Sequence, residues 1–254
     1  MNRQPALDLH AHMDVAIAPA ELRQLGAVVF CATRSLDEAG AALARHDEQA
    51  VWGVGCHPGL VGAHKAFDRG RFAEFVRRTA FVSEVGLDGG SRVPMAVQQT
   101  TLTAVLAELQ DVPRITSLHS YKATDLVIEA LEVQPISGAV LHWWLGDLSQ
   151  TRRALELGCF FSINASSIRR TDLLDIIPLD RLLTETDHPF GDRRGGRSAR
   201  PGLVAAVERG LAQHYTKTPD SIRIRMWDNL ARLATEAGCM AVLPRAIRLQ
   251  LMAR

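Results

Sequence analysis

The sequence predicts an α/β protein of the TIM (β/α)8 barrel class from its length, its composition and the alternation of two kinds of segment. Its 254 residues suit one barrel of this class, which typically has about 250 residues. Hydrophobic residues make up 47% and charged residues 22% of the chain, as in globular rather than disordered or fibrous proteins. We therefore predict a single barrel over residues 1–254, with 241–254 as a C-terminal helical tail.

Eight short apolar runs are predicted to be the barrel strands. They are rich in Val, Ile, Leu and Phe, as expected of parallel strands that are buried on both faces. A doubly wound sheet is the alternative, but such a sheet seldom contains eight regular βα units without a separate domain. The predicted strands are 5–9, 27–33, 51–56, 80–84, 114–119, 138–143, 158–163 and 181–185.

Amphipathic segments between these runs are predicted to be the outer helices. One more helix should begin at Pro219, because proline favours a first helical turn, and should stop before Gly238. The helices that follow the strands are predicted near 35–48, 66–79, 95–110, 122–133, 147–157, 168–176 and 201–215.

The tail carries an apolar stripe. Leu243, Ile247 and Leu251 recur at four-residue spacing, which puts them on one side of a helix. We expect this stripe to pack against the protein's own outer helices. A partner helix or a second copy of the chain is the alternative occupant.

The net charge, the cysteines and the lengths of the apolar runs indicate where the protein acts and which partners it can bind. The net charge is only +1, so a nucleic-acid-binding role would have to depend on a local basic patch. The four cysteines are scattered without a C-x-x-C pair, which fits a reducing cytoplasm. No secretory leader is recognisable, and no apolar run approaches the roughly 18 residues of a membrane span. We expect a cytoplasmic protein without membrane contact.

Metal-binding side chains alternate along the first predicted strand. In an extended chain a period of two places Asp8, His10, His12 and Asp14 on one face. Two imidazoles at this spacing can form one edge of a metal site, and the carboxylates of Asp8 and Asp14 can hold the other ring nitrogens.

Further ligand-type residues stand at the ends of later strands. The carboxyl ends of all strands in a parallel barrel open on one mouth, so these residues are expected to meet there. Four imidazoles and two carboxylates are enough to hold two divalent ions. The predicted metal ligands are His10, His12, Glu84, His119, His142 and Asp187.

This ligand set indicates phosphoester hydrolysis. Two divalent ions about 3.5–4 Å apart can activate a nucleophile and stabilise charge on a phosphoester. We expect Glu84 to bridge the ions with its two oxygens, and Asp187 to bind one ion and accept a proton from the attacking water. Mixed imidazole and carboxylate ligands suit Zn, Mn or Mg.

The motifs at the strand ends resemble those of the TatD family of metal-dependent deoxyribonucleases. In order, the chain carries D-L-H-A-H-M-D, G-C-H-P, S-E-V-G-L-D, L-H-S, L-H-W, T-E-T-D-H-P-F and W-D-N-L-A-R-L. The resemblance extends from about Leu7 to Leu233. It implies an amidohydrolase-like metallohydrolase barrel, deoxyribonuclease activity on DNA, and metal ligation by the six residues named above.

Three longer strings resemble the TatD-type nucleases of the Qat anti-phage defence system. They are H-W-W-L-G-D, A-L-E-L-G-C-F-F-S-I-N and D-R-L-L-T-E-T-D-H-P-F. This resemblance implies a role in bacterial defence, with the other proteins of that system as partners. The chain departs from the wider family in Ser120-Tyr121-Lys122 and in Trp143-Trp144, where substrate contacts are expected.

Other residues are expected around the mouth. His57 could donate to a phosphate oxygen or a leaving group, or merely hydrogen-bond a loop carbonyl. Trp143 could stack on an unpaired base, a contact worth roughly 1–3 kcal/mol. Because Trp143 and Trp144 have opposite parity along the chain, one of the two should pack into the barrel wall or the helix layer. Glu185 is expected to hydrogen-bond a metal-ligating histidine and so orient its ring, and a buried structural ion pair is the alternative.

An arginine-rich loop follows the last predicted strand. Arg193, Arg194 and Arg197 flank two flexible glycines and suit contacts to a polyanion backbone. A solvated charge run is the alternative.

Three functions remain open at this level. The first is a metal-dependent nuclease that acts on DNA single strands or ends. The second is an amidohydrolase of a small ester, amide or phosphotriester; many of these use a bridging lysine, where this chain has Glu84. The third is a subunit whose main task is to bind partner proteins within a defence complex, or a nuclease subunit that is active only within that complex.

Overall fold

Eight parallel strands form the barrel, which confirms the predicted fold class. We describe residues 4–191 and 199–253 of a computed structural model. All eight predicted strands are present, although some of their bounds differ from those expected. The strands are β1 Ala6–His12, β2 Ala27–Ala32, β3 Ala50–Trp52, β4 Phe81–Gly86, β5 Ile115–His119, β6 Ala139–Leu141, β7 Phe160–Ile163 and β8 Leu182–Thr184.

Hydrogen bonds close the strands into a ring. β1, β2 and β3 pair in sequence order, and so do β4 to β8. The two groups meet through a parallel bridge between Val54 and Val82. On the opposite side, the Asp187 amide donates to the His10 carbonyl at 2.8 Å, and the His12 amide donates to the His188 carbonyl at 2.8 Å. Because these last bonds join β1 to the segment after β8, closure itself brings His10 and Asp187 together.

The outer helices follow the predicted order with local differences. The helix predicted near 66–79 is shorter, Arg69–Val76, since Asp68 caps its start by accepting from the Arg71 amide at 2.7 Å. A separate short helix, Val61–Lys65, was not predicted. A short helix at 19–24, begun by a proline, was not predicted. The helices are α1 Pro19–Gln24, α2 Leu36–Ala42, α3 Val61–Lys65, α4 Arg69–Val76, α5 Met95–Asp111, α6 Thr124–Val133, α7 Leu148–Glu156, α8 Thr171–Leu174, α9 Ala205–His214, α10 Pro219–Glu236 and α11 Arg245–Met252. Within the described ranges, no helix combines the length and apolar character needed to cross a bilayer.

Two glycines allow neighbouring strands to approach the site closely. A Cβ on Gly55 would lie 2.2 Å from the Glu84 amide nitrogen, and a Cβ on Gly86 would lie 2.1 Å from the His119 carbonyl oxygen. Gly86 also has φ +138°, which side-chain-bearing residues rarely adopt. The absence of side chains at these positions therefore lets β4 lie flush against its neighbours and fixes the height of Glu84 and His119 in the mouth.

The tail packs on the protein itself. Leu243, Ile247 and Leu251 are each at most 4% exposed and belong to the main hydrophobic cluster. The amide of Ala246 donates to the Glu48 carboxylate at 2.8 Å, which ties α11 to the loop before β3. Self-packing of the stripe is thus confirmed, and these three side chains are not a docking surface for a partner.

Candidate active site

The structure brings the six predicted ligand residues together at the carboxyl-terminal mouth of the barrel. Each lies on or directly after a strand, and all are at least half-buried. Two groups of three have ligand atoms that all lie within 4.8 Å of one another: His10, Glu84 and His142, and His10, His12 and Asp187.

Glu84 is the centre of the constellation. Its Oε1 lies 2.6 Å from His119 Nδ1 and 3.0 Å from His142 Nε2. Its Oε2 lies 3.1 Å from His12 Nε2 and 3.3 Å from His57 Nε2. One carboxylate, 1% exposed, therefore presents each oxygen to a different pair of imidazoles.

These contacts control the charge of the central carboxylate. Burial alone would raise the pKa of Glu84, but the imidazoles of His57 and His119 hold it well below its usual range. Burial lowers the pKa of His119, whereas the Glu84 carboxylate raises it by more, so that this pKa lies above its usual value. Glu84 is consequently ionised over the neutral pH range.

His10, His12 and Asp187 form a more open arrangement. The Nε2 atom of His10 lies 3.7 Å from Asp187 Oδ1 and 3.8 Å from Glu84 Oε2. His12 Nε2 lies 3.8 Å from Asp187 Oδ1. These separations are too long for direct hydrogen bonds.

The buried polar atoms of this arrangement are those that a metal ion would satisfy. Among the described residues, His10 Nε2 and Glu84 Oε2 are buried without a hydrogen-bond partner, which is costly unless another group satisfies them. Metal–ligand bonds of about 2.0–2.2 Å put neighbouring ligand atoms roughly 3–3.6 Å apart, close to the separations seen here. Neutral imidazole and carboxylate are also the donor types that Zn, Mn and Mg accept.

Serine hydroxyls, and not the predicted carboxylates, lie within hydrogen-bonding distance of the Nδ1 atom of His10. His10 Nδ1 lies 2.7 Å from Ser117 Oγ and 3.3 Å from Ser83 Oγ. Burial, followed by the nearby His142, keeps the pKa of His10 well below its usual value, so the ring is neutral. A proton on Nδ1, shared with Ser117, leaves the Nε2 lone pair directed into the mouth. Sequence reasoning missed Ser117, although its parity with His119 on β5 placed it on the inner face.

The expectation that Asp8 and Asp14 hold ring nitrogens was wrong. Asp8 is fully buried and accepts from the Thr186 amide at 2.8 Å, the Thr186 hydroxyl at 2.7 Å and the Gly202 amide at 2.7 Å. It thereby fixes the backbone next to Asp187 rather than an imidazole. Asp14 lies beyond the end of β1, where the alternation ceases, and accepts from the Ala16 amide at 2.8 Å.

Glu185 also differs from the prediction, because within residues 4–191 and 199–253 it hydrogen-bonds neither a ligand ring nor a cation. Its Oε1 accepts from the Trp143 amide at 2.9 Å and the Asn164 side-chain amide at 3.1 Å, and Oε2 accepts from the Ser162 hydroxyl. Burial raises the pKa of Glu185 to about 8. The carboxyl group thus holds the backbone directly after His142.

His57 projects from the loop after β3 into the same mouth. Its Nδ1 accepts from the Gly59 amide at 2.8 Å, so the proton of the neutral ring resides on Nε2. Burial lowers the pKa of His57, which favours this neutral form. The protonated Nε2 lies 3.3 Å from Glu84 Oε2 without forming a hydrogen bond to it, and the loop bond of the ring is to an amide rather than to the carbonyl that we considered.

The two tryptophans after β6 divide as expected. Trp144 is fully buried and donates to the Thr151 hydroxyl at 2.8 Å. Trp143 is half-buried and lines the cavity beside Glu84, in a left-handed conformation with φ +39°. Tyr121, which lies in one of the two segments where substrate contacts were expected, lines the same cavity. Leu145 and Phe190 also line it and were not singled out from the sequence. The predicted phosphate contacts Arg193, Arg194 and Arg197 lie outside the described residues.

Comparisons with known proteins identify the family of the chain. The model of the family described as TatD related DNase matches residues 7–235. The 3′-5′ ssDNA/RNA exonuclease TatD of Klebsiella pneumoniae (strain 342) is 31% identical over 145 residues, which are 50% of this chain. That match spans about half of the relative, 55% of its length. The uncharacterized metal-dependent hydrolase YcfH of Escherichia coli K12 is 26% identical over 249 residues, 89% of either chain.

Solved structures share the fold. YJJV, a TatD homolog from Escherichia coli K12, has a TM-score of 0.80 at 24% identity, covering 90% of this chain and 97% of its own. A TatD family hydrolase from Entamoeba histolytica has a TM-score of 0.72 at 13% identity, covering 91% and 98%. Since the family match includes every strand that supplies a ligand-type residue, the chain belongs to the TatD related DNase family and is a metal-dependent hydrolase.

Proposed function

We propose that this chain hydrolyses phosphodiester bonds of DNA, at single strands or strand ends, with two bound divalent ions. The observation that carries the proposal is the set of four imidazoles around the two oxygens of the buried Glu84 carboxylate, with His10 and Asp187 beside it. A phosphodiester is anionic and resists nucleophilic attack, so a site that concentrates cations suits this bond.

The residues divide naturally into two ligand groups. His10, His12 and Asp187 would hold one ion, His119 and His142 would hold the other, and Glu84 would bridge the two. When bound, such ions lower the pKa of a water molecule and stabilise charge on the substrate.

The protein's own groups supply the remaining roles. Asp187 is the proposed acceptor of the water proton, since its Oδ1 faces both His10 and His12. His57, with its proton on Nε2, is the proposed donor to a phosphate oxygen or the leaving group. Trp143 and the arginines 193, 194 and 197 are the proposed contacts to bases and backbone.

The nucleic-acid substrate is supported by the relative from Klebsiella pneumoniae, whose name gives 3′-5′ exonuclease activity on single-stranded DNA and RNA. The carboxylate at the centre of the site also supports it, because the amidohydrolases that cleave small neutral esters often place a bridging lysine there. We further propose a role in anti-phage defence with the proteins of the Qat system as partners, on the strength of the sequence resemblance.

A direct assay tests the proposed activity. The purified protein, loaded in turn with Zn, Mn or Mg, is incubated with end-labelled single-stranded, double-stranded and 3′- or 5′-blocked oligonucleotides. We expect metal-dependent cleavage of single strands that one type of end block abolishes. Hydrolysis of a lactone or a phosphotriester, with every oligonucleotide left intact, would instead favour the amidohydrolase.

The defence role needs its own experiment. Phage plating on cells that carry the complete Qat gene cluster is compared with plating on cells in which only Glu84 is changed to Gln. We expect loss of protection. Full protection by the variant would refute a catalytic role in defence.

A further inference from the structure

The cavity beside Glu84 has an apolar wall that metal binding does not require. The cavity has a volume of about 320 Å³, and its upper part is lined by Tyr121, Trp143, Leu145 and Phe190. Tyr121 is 44%, Leu145 45% and Phe190 40% exposed. Single exposed apolar residues are ordinary on protein surfaces, but a cluster around one concave site marks a binding surface.

The wall is built from three separate loops. Tyr121 follows β5, Trp143 and Leu145 follow β6, and Phe190 follows β8. Since β5 and β8 are three positions apart in the ring of eight strands, Tyr121 and Phe190 stand on well-separated sides of the mouth.

Each aromatic residue is held by its backbone. The Trp143 amide donates to Glu185 at 2.9 Å, and the Phe190 amide donates to the Asp187 carbonyl at 2.7 Å. The Tyr121 carbonyl accepts from the Gly89 amide at 2.8 Å, which anchors this loop to the one after β4. The backbone of the three loops is therefore anchored without a ligand, which reduces the cost of ordering them on binding.

The wall directly adjoins the metal-ligand residues. The Phe190 ring meets the His12 ring edge-on with their centroids 5.6 Å apart. A ligand that fills the cavity must accordingly combine an anionic group for the polar floor with a flat apolar group for the wall. A nucleotide combines these two parts in one small unit.

We propose that Tyr121, Trp143, Leu145 and Phe190 form a base pocket, which binds one unpaired nucleobase next to the phosphodiester that is cleaved. The inference rests on the proposed nuclease function and specifies its substrate. A cavity of about 320 Å³ is at the small end of ligand sites, with room for one base and its sugar rather than a stacked pair. The strand end must be splayed from its complement to enter, so fully paired ends are poor substrates.

Binding of two small probes tests the pocket without any turnover. The metal-loaded protein is titrated by calorimetry with 2′-deoxyadenosine 5′-monophosphate and with 2-deoxyribose 5-phosphate, which carries a hydroxyl in place of the base. Stacking on aromatic side chains is worth roughly 1–3 kcal/mol per base, so the nucleotide should bind about 5- to 100-fold more tightly. The nucleotide should also quench tryptophan fluorescence, because Trp143 lines the pocket while the other three tryptophans are buried.

Single substitutions test whether the preference for the nucleotide depends on the residues of the pocket. Tyr121→Ala and Phe190→Leu should each reduce the affinity ratio of the two probes at least threefold. Val133→Ala, which truncates an 80% exposed side chain on α6 far from the mouth, should leave it unchanged. With oligonucleotides, Tyr121→Ala should raise KM for single strands with a normal terminal base, but not for strands with an abasic terminal nucleotide.

The outcomes separate this inference from the proposed function. Equal affinity for the two probes in the wild-type protein, or equal KM for normal and abasic ends, would overturn the base pocket even if DNA is cleaved. The absence of oligonucleotide cleavage with every metal would refute the nuclease function alone, since base-dependent binding of the nucleotide would still support the pocket.

Discussion

Replacing Ser117 by alanine should weaken metal binding without breaking the barrel. Ser117 is 1% exposed on β5, and its hydroxyl lies 2.7 Å from Nδ1 of the fully buried His10. This contact fixes the ring so that Nε2 faces Asp187 and Glu84. In the described part of the chain, its removal leaves the Ser83 hydroxyl, at 3.3 Å, as the remaining partner of the ring nitrogen.

The size of the effect follows from the remaining contact. Loss of a residue that orients a metal-bound histidine typically costs 10- to 100-fold in affinity, or about 1.4–2.7 kcal/mol. Because Ser83 can take over part of the hydrogen bond, we expect the lower end, about tenfold. The unfolding free energy should fall by about 1–2 kcal/mol, as for a buried hydrogen bond that is weakened rather than lost.

Competition with a chelator measures this affinity. Thr116→Val is the matched control, since Thr116 is also fully buried on β5, but its hydroxyl donates to the Arg114 carbonyl at 3.0 Å, away from the site. The control should lose some stability and retain its metal affinity. If Ser117→Ala binds metal within twofold of the wild-type protein, the hydroxyl does not orient His10 and our account of this ring is wrong.

Three further predictions follow from other parts of the molecule. Glu84→Gln should lose one metal, measured as metal content per chain, and nearly all hydrolysis with unchanged circular dichroism; normal turnover with both metals bound would contradict a bridging role. The triple variant Arg193→Ala, Arg194→Ala and Arg197→Ala should reduce the slope of log binding constant against log salt concentration by about 0.7–0.9 per lost phosphate contact. An unchanged slope would show that these arginines do not contact DNA and are a solvated run of charges. Ile247→Ala should cost about 2–5 kcal/mol of unfolding free energy in denaturant titrations, because this side chain is 1% exposed in the main core, and a loss below about 0.5 kcal/mol would show that α11 contributes little to the fold.

The ligand residues were accessible to sequence reasoning because their positions obey two simple rules. A period of two along an extended segment put His10 and His12 on one face, and parallel strands in a barrel deliver their carboxyl ends to one mouth. Both rules concern the backbone alone, so they need no knowledge of which side chains touch. The same reasoning failed at Asp14, since a period of two holds only while the strand continues, and β1 ends at His12.

Contacts between distant segments were decided by the tertiary structure. Asp8 accepts from Thr186 and Gly202, which lie 178 and 194 positions away, and no local pattern indicates such partners. The carboxyl group of Glu185 likewise reaches the Trp143 amide, 42 positions earlier, because the barrel curves β6 and β8 toward a common axis.

The sequence by itself thus determined the order of the barrel strands, the mouth and the residues that could bind metal, since repeating backbone geometry controls all three. The tertiary structure alone decided how those residues are held and what surrounds them. Ser117 backs His10, and Tyr121, Leu145 and Phe190 complete the apolar wall of the cavity. These arrangements depend on the register and closure of strands far apart in the chain, which bring side chains together across distances that no short-range periodicity encodes.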